Sequence, residues 1–313
     1  MTTLYLVVPC YNEEEVLPKT ASVLLEKITA LCNSGRISAD SRIVFVDDGS
    51  RDKTWDIIQE LHLSTPVFTG LKLSRNKGHQ NALLAGLMTV RDRCDITISL
   101  DADLQDDIHA IDRMLDEYEK GADIVYGVRS SRKKDSFFKR ATARGFYKLM
   151  RALGVDTVYD HADFRLMSNR ALDGLAEFKE VNLFLRGLVP LIGYKTATVT
   201  YERGVRAAGE SKYPLKKMLS FAFEGITSMS VRPIRLIATL GFVIFLTSIA
   251  VLIYSLIRHF TGNTISGWTS LSVSIWAIGG LQLLALGVIG EYIGKIYMET
   301  KSRPRFIIET DLH

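Results

Sequence analysis

Two aspartates separated by one residue, Asp101 and Asp103, follow an apolar run in the first third of the chain. In an extended chain alternate side chains point to the same side, so both carboxylates can reach one cation. An all-oxygen site of this kind suits Mg²⁺ or Mn²⁺, held by one or two carboxylates together with substrate phosphates. The carbonyl oxygen of Gln105 can join them. The sequence therefore predicts a divalent-metal site with Mg²⁺ or Mn²⁺ as its cofactor.

Two further polar runs follow apolar segments. The first contains Pro9, Tyr11 and Glu13, and the second contains Asp47, Asp48 and Ser50. Ligands of parallel α/β sheets bind beyond the carboxyl ends of the strands, so both runs are expected at the edge that carries Asp101. Asp47 or Asp48 can accept hydrogen bonds from a ribose or a uracil. The alternative is a plain strand-to-helix turn in which Ser50 caps the helix, and the second run alone favours it.

Alternating strand and helix patterns must position these residues. Strands are predicted at 4–9, 42–47, 67–73, 95–100 and 123–128, and helices at 14–31, 53–61, 76–91 and 107–120. The strand segments are nearly unbroken apolar runs, as expected when both faces are covered. Asn12 and three glutamates are typical of the start of the first helix, and Ser50 and Asp52 of the second. This order predicts an α/β fold with a mostly parallel sheet and right-handed crossovers.

Apolar residues are distributed unevenly over the 313 residues, whose formal net charge is +4. Uncharged stretches at 236–257 and 271–289 are each about as long as a membrane span, which takes roughly 20 residues. Positive residues flank this pair more than they occupy the short loop within it, which places both flanks in the cytosol. These are Arg232 and Arg235 before it, and Lys295, Lys301, Arg303 and Arg305 after it. We therefore expect a multi-pass protein of the cytoplasmic membrane with a cytosolic catalytic domain.

Four regions follow from this pattern. They are a catalytic domain (1–213), a juxtamembrane amphipathic segment (214–235), two spans within 236–297 (236–257 and 271–293) and a cytosolic tail (298–313). Basic and apolar residues alternate in 129–150 and 214–229, which favours helices lying at a lipid surface over helices packed on the domain. The apolar start of the chain is interpreted as a strand and not as a signal peptide. Three scattered cysteines match no zinc or disulfide pattern and fit a reducing compartment.

Several motifs in a fixed order resemble the inverting glycosyltransferases of family 2, which have the Rossmann-like GT-A fold. They are VPCYNEE, VDDGSRD, NKG at 76–78 and DADLQ at 101–105. Three later features resemble the polyprenyl-phosphate branch of that family, the bactoprenol glucosyltransferase and dolichol-phosphate mannose synthase group. They are ADFRL at 162–166, RAAGESKY at 206–213 and the two spans. The Gln-x-x-Arg-Trp motif of the processive synthases is absent from the sequence, which argues against a polymerase.

The resemblance implies roles for individual residues. Asp101, Asp103 and Gln105 would hold the metal on the donor diphosphate. Nucleotide-sugar contacts would come from Pro9, Tyr11, Glu13, Asp47 or Asp48, Lys77, Asp101, Ala102, Arg206, Ser211 and Lys212. Arg129, with Arg140 or Arg144, would bind the acceptor phosphate. Catalytic roles would fall to Asp163, Asp103 and Arg129, with Asp163 at the reaction centre.

The role of Asp163 is open between a positioning residue and a base of modest importance. A phosphate monoester has a second pKa of about 6, so a lipid phosphate is mostly a dianion at neutral pH and needs little help from a base. A third possibility is an ion pair with Arg165 that only shapes the loop. For His79 and His161, which flank these sites, structural or supporting roles are favoured over zinc ligation.

The expected reaction is inverting transfer of a hexose, glucose or N-acetylglucosamine, from a nucleotide sugar with UDP favoured. The acceptor would be polyprenyl (undecaprenyl) phosphate, and the product a lipid-linked sugar for surface glycan modification. The alternatives are a membrane-tethered transferase with another lipid or glycan acceptor, or a non-catalytic nucleotide-sugar-binding partner of a transporter or synthase. Besides donor, lipid and membrane, a flippase is an expected partner. Gln282 hints at a homo-oligomer, and no nucleic acid is expected.

Overall fold

The structure is a computed structural model that describes residues 1–129, 161–202, 226–228, 230–261 and 267–312. Five of the predicted site residues therefore lie outside the described part, namely Arg140, Arg144, Arg206, Ser211 and Lys212. The same holds for most of the two basic amphipathic segments. The fold is described here for the remaining residues.

Eight strands and eight α-helices make up the described chain. The strands are β1 (Leu4–Cys10), β2 (Arg42–Asp47), β3 (Phe68–Leu73), β4 (Ile96–Ser99), β5 (Ile124–Arg129), β6 (His161–Ser168), β7 (Thr196–Tyr201) and β8 (Ile308–Leu312). The helices are α1 (Leu17–Asn33), α2 (Thr54–Ser64), α3 (His79–Val90), α4 (Ala110–Glu119), α5 (Asn169–Ala176), α6 (Leu185–Leu191), α7 (Arg232–Phe260) and α8 (Trp268–Lys301). All five predicted strands are confirmed to within one residue at either end.

One sheet contains all eight strands, in the order β7-β5-β6-β4-β1-β2-β3-β8. Strands β3, β2, β1 and β4 are parallel to one another, and β5 is parallel to β7. Strand β6 runs antiparallel between β4 and β5, and β8 runs antiparallel along β3. The predicted α/β fold with a mostly parallel sheet is confirmed. Strands β6, β7 and β8 were not predicted.

Apolar side chains cover both faces of the sheet and form two core clusters. Along β1, Leu4, Leu6 and Val8 enter one cluster, while Tyr5 and Val7 enter the other. This alternation is the two-residue period of a strand. Helices α1 and α4 pack in the first cluster, whereas α3, α5 and α6 pack in the second. The sheet is thus enclosed by helices, and its edges at the strand ends are left to the loops.

The start of α1 differs from the prediction. The helix begins at Leu17 rather than at residue 14, and no side chain caps it. The backbone N–H of Asn12 donates to Ser50 Oγ at 3.0 Å, and that of Glu14 donates to Asp52 Oδ2 at 3.2 Å. In return, Asn12 and Glu14 accept hydrogen bonds from the backbone after β2. The predicted cap is wrong because these polar groups tie two loops together.

Helices α7 and α8 are both long and apolar enough to cross a membrane, by length and composition. They extend beyond the predicted spans, and large apolar side chains such as Leu236, Phe242, Leu283 and Leu286 are exposed on them. After α8 the chain returns to the α/β domain, where β8 pairs with β3. The predicted cytosolic tail (298–313) therefore includes an edge strand of the sheet.

Candidate active site

The candidate site lies where β1, β2 and β4 end at one edge of the sheet. Because these strands are parallel and in register, Cys10 lies beside Asp47, and Val7 lies beside Ser99. The polar runs that follow the three strands are therefore neighbours, as the sequence predicted. Tyr11 is 42% exposed beyond the end of β1, whereas Pro9 lies within the buried strand. An aromatic face is thus available at this edge.

Asp47 and Asp48 are both buried and both bind backbone N–H groups of this protein. Asp48 accepts from the N–H of Lys77 at 2.7 Å and from that of Gly78 at 2.8 Å. Burial raises the pKa of Asp48, and these two hydrogen bonds oppose the rise. Asp47 accepts from the N–H of Ser50 at 3.1 Å, and burial likewise raises its pKa. Both carboxylates hold the turns that follow β2 and β3.

The residues after β2 form a strand-to-helix turn, as the alternative interpretation expected, but Ser50 is not the helix cap. Ser50 does not cap α2, because its hydroxyl accepts from Asn12 and the residue at the helix N-cap is Lys53. Gly49 has a φ of 67°, and a Cβ at this position would lie 2.7 Å from the Asn76 nitrogen. A glycine here lets the turn approach the loop that precedes α3. That loop leads directly into the side of the site formed by His79.

The loop after β4 presents two partly exposed carboxylates, Asp101 and Asp103, on either side of the buried Ala102. The Ala102 carbonyl accepts from Thr20 Oγ1 at 2.6 Å, which fixes the middle of the loop. Asp103 Oδ1 accepts from the backbone N–H of Gln105 at 3.2 Å. Gln105 itself is buried. The geometry thus offers carboxylates to an incoming group mainly through Asp101 and Asp103.

These two residues fit a divalent cation by donor type and exposure. Both offer carboxylate oxygens, the ligands that Mg²⁺ and Mn²⁺ prefer. Within the described part of the chain, no three His, Cys, Asp or Glu residues converge as a complete ligand set. A cation here would depend on substrate phosphates for the rest of its coordination, as Mg²⁺ commonly does.

His79, the first residue of α3, lies between two carboxylates. Its Nε2 is 3.6 Å from Asp101 Oδ1 and 3.5 Å from Asp163 Oδ2. Burial alone would lower the pKa of His79, but the interaction with Asp163 and the charge of Asp101 outweigh it and raise the pKa. His79 therefore favours its cationic form and joins the acidic loop to Asp163. The sequence had indicated only a supporting role.

Asp163, on β6, forms ion pairs with two arginines. Arg186 forms a bidentate pair with it, Nε to Oδ1 at 3.2 Å and Nη2 to Oδ2 at 3.1 Å. Arg165 Nη2 lies 3.0 Å from Asp163 Oδ1 and is itself buried. Burial alone would raise the pKa of Asp163, but His79, Arg186 and Arg165 together hold it well below the usual range. The ion pair with Arg165 is present, and this environment disfavours a base.

Arg186 was not identified from the sequence. The signal that could have found it is a single charge within the otherwise apolar run from Leu183 to Ile192. An isolated arginine in an apolar segment needs a partner, and here the partner is Asp163. Arg129 ends β5, next to the start of β6, because Val128 pairs with His161. The backbone of Arg129 is therefore at the same edge as Asp163.

Comparison with known proteins agrees with this architecture. Residues 5–175 match the model of Glycosyl transferase family 2, which is more than half of the chain. The chain belongs to glycosyl transferase family 2, and it is a glycosyltransferase with a GT-A-like α/β fold. Its identity with the uncharacterized glycosyltransferase YkoT of Bacillus subtilis (strain 168) is 54% over 310 residues, 99% of this chain and 92% of the relative.

Relatives with a more specific name are similar over nearly the whole length. The bactoprenol glucosyl transferase of Shigella phage SfX is 40% identical and covers 97% of this chain and 98% of its own. The prophage bactoprenol glucosyl transferase homolog of Escherichia coli (strain K12) is 38% identical, with 97% of each chain covered. Among solved structures, glucosyl-3-phosphoglycerate synthase from Mycobacterium tuberculosis matches with a TM-score of 0.46 and 17% identity, over 74% of this chain and 80% of that one.

Proposed function

We propose that this glycosyltransferase moves a hexose, glucose or N-acetylglucosamine, from a UDP-sugar to polyprenyl (undecaprenyl) phosphate. The observation that supports it most is the full-length similarity to relatives named bactoprenol glucosyl transferase, which extends through both apolar helices. The site adds a carboxylate pair that is compatible with a metal, Asp101 and Asp103. His79 connects Asp101 to Asp163, which also binds two arginines. Glucose is the sugar that the names of these relatives favour.

The donor would lie along the edge formed by the ends of β1, β2 and β4. Asp101 and Asp103 would hold a Mg²⁺ or Mn²⁺ ion, which when bound supplies positive charge against the leaving diphosphate. Tyr11 offers its exposed ring to the nucleoside base. Asp47 and Asp48 would act through the turns that they fix, since their carboxylates bind backbone N–H groups. Arg206, Ser211 and Lys212 would contact the donor phosphates.

The acceptor phosphate would act as a dianionic nucleophile without a strong base. Its second pKa is about 6, so at neutral pH it is mostly ionised. What the site must supply is alignment, which can lower the barrier by roughly 7–11 kcal/mol. Arginine suits this task because its planar guanidinium binds phosphate through two hydrogen bonds. Arg129, with Arg140 or Arg144, would bind this phosphate, and Asp163 would keep Arg186 and His79 in place.

Helices α7 and α8 would anchor the enzyme as a transmembrane hairpin, with the catalytic domain in the cytosol. Their exposed apolar side chains need a nonpolar environment. Both ends of the helix pair carry positive residues, among them Arg232, Arg235, Lys301 and Arg305. The acceptor lipid would then be delivered in the plane of the same membrane. Its glycosylated product would serve surface glycans after a separate flippase moves it outward.

A donor and acceptor panel tests this proposal. Purified enzyme in detergent would be given UDP-glucose, UDP-N-acetylglucosamine or GDP-mannose, with and without polyprenyl phosphate, and with Mg²⁺ or Mn²⁺. We expect nucleotide release that depends on the lipid, and a lipid product whose mass increases by one hexose or N-acetylhexosamine. Release that ignores polyprenyl phosphate but follows another lipid or glycan would support a different acceptor. No release with any pair would support a non-catalytic binder.

Asp103→Asn provides the matched test of the metal assignment. The change keeps the shape of the side chain but removes its charge, so the cation loses a carboxylate ligand. We expect turnover to be nearly abolished at any Mg²⁺ or Mn²⁺ concentration, measured as UDP release. Asp112→Asn, at a partly exposed position of α4 where the aspartate pairs with Lys27, should leave the rate unchanged. A near-normal rate of Asp103→Asn at saturating metal would refute the assignment.

A further inference from the structure

Glu299, in the last turn of α8, binds the backbone of the catalytic domain with both carboxylate oxygens. Its Oε2 accepts from the N–H of Val181 at 2.8 Å, and its Oε1 accepts from the N–H of Asn182 at 2.8 Å. Hydrogen bonds to a charged acceptor are stronger than neutral ones. One acidic side chain at the end of an apolar helix thus captures two consecutive amides of the segment that joins α5 to α6.

Further contacts hold the same segment to the same part of the chain. Arg305 Nη1 donates to the Phe178 carbonyl at 3.0 Å. Asn182 Nδ2 donates to Ser228 Oγ at 2.7 Å, and that hydroxyl also accepts from Lys295 Nζ at 2.9 Å. The segment between α5 and α6 is therefore held by residues of α8 and by Arg305, which lies between α8 and β8. Its position depends on where α8 stands.

The segment between α5 and α6 leads directly into the candidate active site. The N–H of Leu185 donates to Gln80 Oε1 at 2.8 Å, and Gln80 is the residue after His79. Arg186, which follows Leu185, forms the bidentate pair with Asp163. Only three residues separate Asn182 from Arg186. A short, continuous path therefore runs from the Glu299 carboxylate to the charged group at the centre of the site.

We infer that Glu299 is a positioning residue: by holding Val181 and Asn182 it sets the place of Arg186 against Asp163. Its catalytic consequence rests on the proposed function. Catalytic groups must be held closely, because a displacement of about 1 Å can cost roughly a hundredfold in rate. The hydrogen bonds of Glu299 thus connect the membrane-anchoring helix to the reaction centre. The helix α8 does more than tether the enzyme, since its end orders a side of the site.

A double-mutant cycle on the full-length enzyme in nanodiscs tests this inference. Glu299→Ala, Arg186→Ala and the double variant would be compared, with Glu299→Gln as the isosteric change and Glu309→Gln as control. Glu309 is an exposed acid on β8 that pairs with Lys72. For Glu299→Ala we expect kcat to fall at least tenfold while the donor KM stays within twofold. The double variant should be no more than about threefold slower than Arg186→Ala, because both changes disable the same group.

Hydrogen–deuterium exchange gives a readout that needs no substrate. In Glu299→Ala and Glu299→Gln, peptides covering 181–191 should exchange faster, while those of β1 and β2 and all peptides of Glu309→Gln should match the parent protein. Unchanged exchange at 181–191 would overturn the inference, as would an unchanged kcat or fully multiplicative effects in the cycle. A parent enzyme that ignores polyprenyl phosphate would refute the proposed function instead. The exchange result would still decide the role of Glu299.

Discussion

Asp163 is an anion surrounded by three cationic groups, and this arrangement determines what it can do. Arg165, Arg186 and His79 all lie within 3.5 Å of its oxygens. A carboxylate whose pKa is held well below the usual range is a weak proton acceptor. We expect it instead to fix the orientation of these cations, above all the buried Arg165, whose charge it compensates.

Asp163→Asn should therefore lower both stability and rate. Removing one partner of a buried ion pair costs about 3–5 kcal/mol, since Arg165 and Arg186 lose the carboxylate that they share. The pKa of Asp163 is lowered on folding, so its contribution is present above the unfolded value of about 3.9 and is lost as the pH falls. The pKa of His79 is raised, so its contribution is present below about 6.5 and is lost as the pH rises through the folded value. Thermal unfolding of both proteins should show the largest difference near pH 5–6, and a difference independent of pH would contradict this account.

Residues that act through local spacing were predictable, and those that act through tertiary contact were not. Asp101 and Asp103 stand out because a strand end and an Asp-x-Asp spacing are visible within a few residues. Arg186 is 23 positions from Asp163 in sequence, and their pairing exists only because the fold brings the start of α6 next to Asp163 on β6. The two backbone bonds of Asp48 also come from another loop, so the sequence could not distinguish a ligand contact from a structural one.

Helix α3, which begins with His79, packs very closely on β1 and β2. A Cβ on Gly86 would lie 2.4 Å from Val7 Cγ1 and 2.8 Å from Val46 Cγ2. Both neighbours are β-branched residues of buried strands, which have little freedom to move aside. A glycine in mid-helix is thus the condition for this close approach, and it sets the distance between His79 and the strand ends.

Gly86→Ala should consequently destabilise the enzyme despite the better helix propensity of alanine. Overpacking typically costs about 1–3 kcal/mol, whereas the propensity gain is about 1 kcal/mol. A lower melting temperature and reduced turnover are expected, since α3 would shift together with His79. Gly78→Ala is less suitable as a comparison because its φ is 87°. Thr89→Ala, on the same helix, provides a control that removes the hydrogen bond from the Thr89 hydroxyl to the Ala85 carbonyl without adding volume. An alanine variant as stable as the parent would show that the sheet yields at this point.

The elements that the sequence missed share a physical reason. Strand β6 carries Asp163 and Arg165 within its length, and such charges normally indicate a loop. They are tolerated because they pair with each other and because Asp163 also pairs with Arg186. The start of α1 was misplaced because side chains suited to a helix cap bind a neighbouring loop instead. In each case a tertiary partner overrode a correct local preference.

At the scale of the molecule, the chain closes on itself. Strand β8, near its end, pairs with β3, more than 230 positions earlier. The C-terminal end of the helix pair is thereby attached to the α/β domain, through β8 and Glu299. Apolar length made two helices predictable that are long and apolar enough to cross a membrane. That β8 belongs to the sheet was not predictable, because its pairing partner β3 lies far away in the sequence.

Removing β8 by ending the chain after Arg305 should weaken the domain at this edge. Half-buried Ile308 and Leu312 lose their packing, which by area corresponds to about 2–3 kcal/mol for the two side chains together. The exposed edge of β3 then becomes free to pair with other chains. We expect a lower melting temperature, faster hydrogen exchange in β3 and a tendency to aggregate in size-exclusion chromatography. Glu309→Ala, which removes only the exposed pair with Lys72, should change none of these. If the truncated protein matched the parent in all three measurements, the sheet would be complete without its last strand.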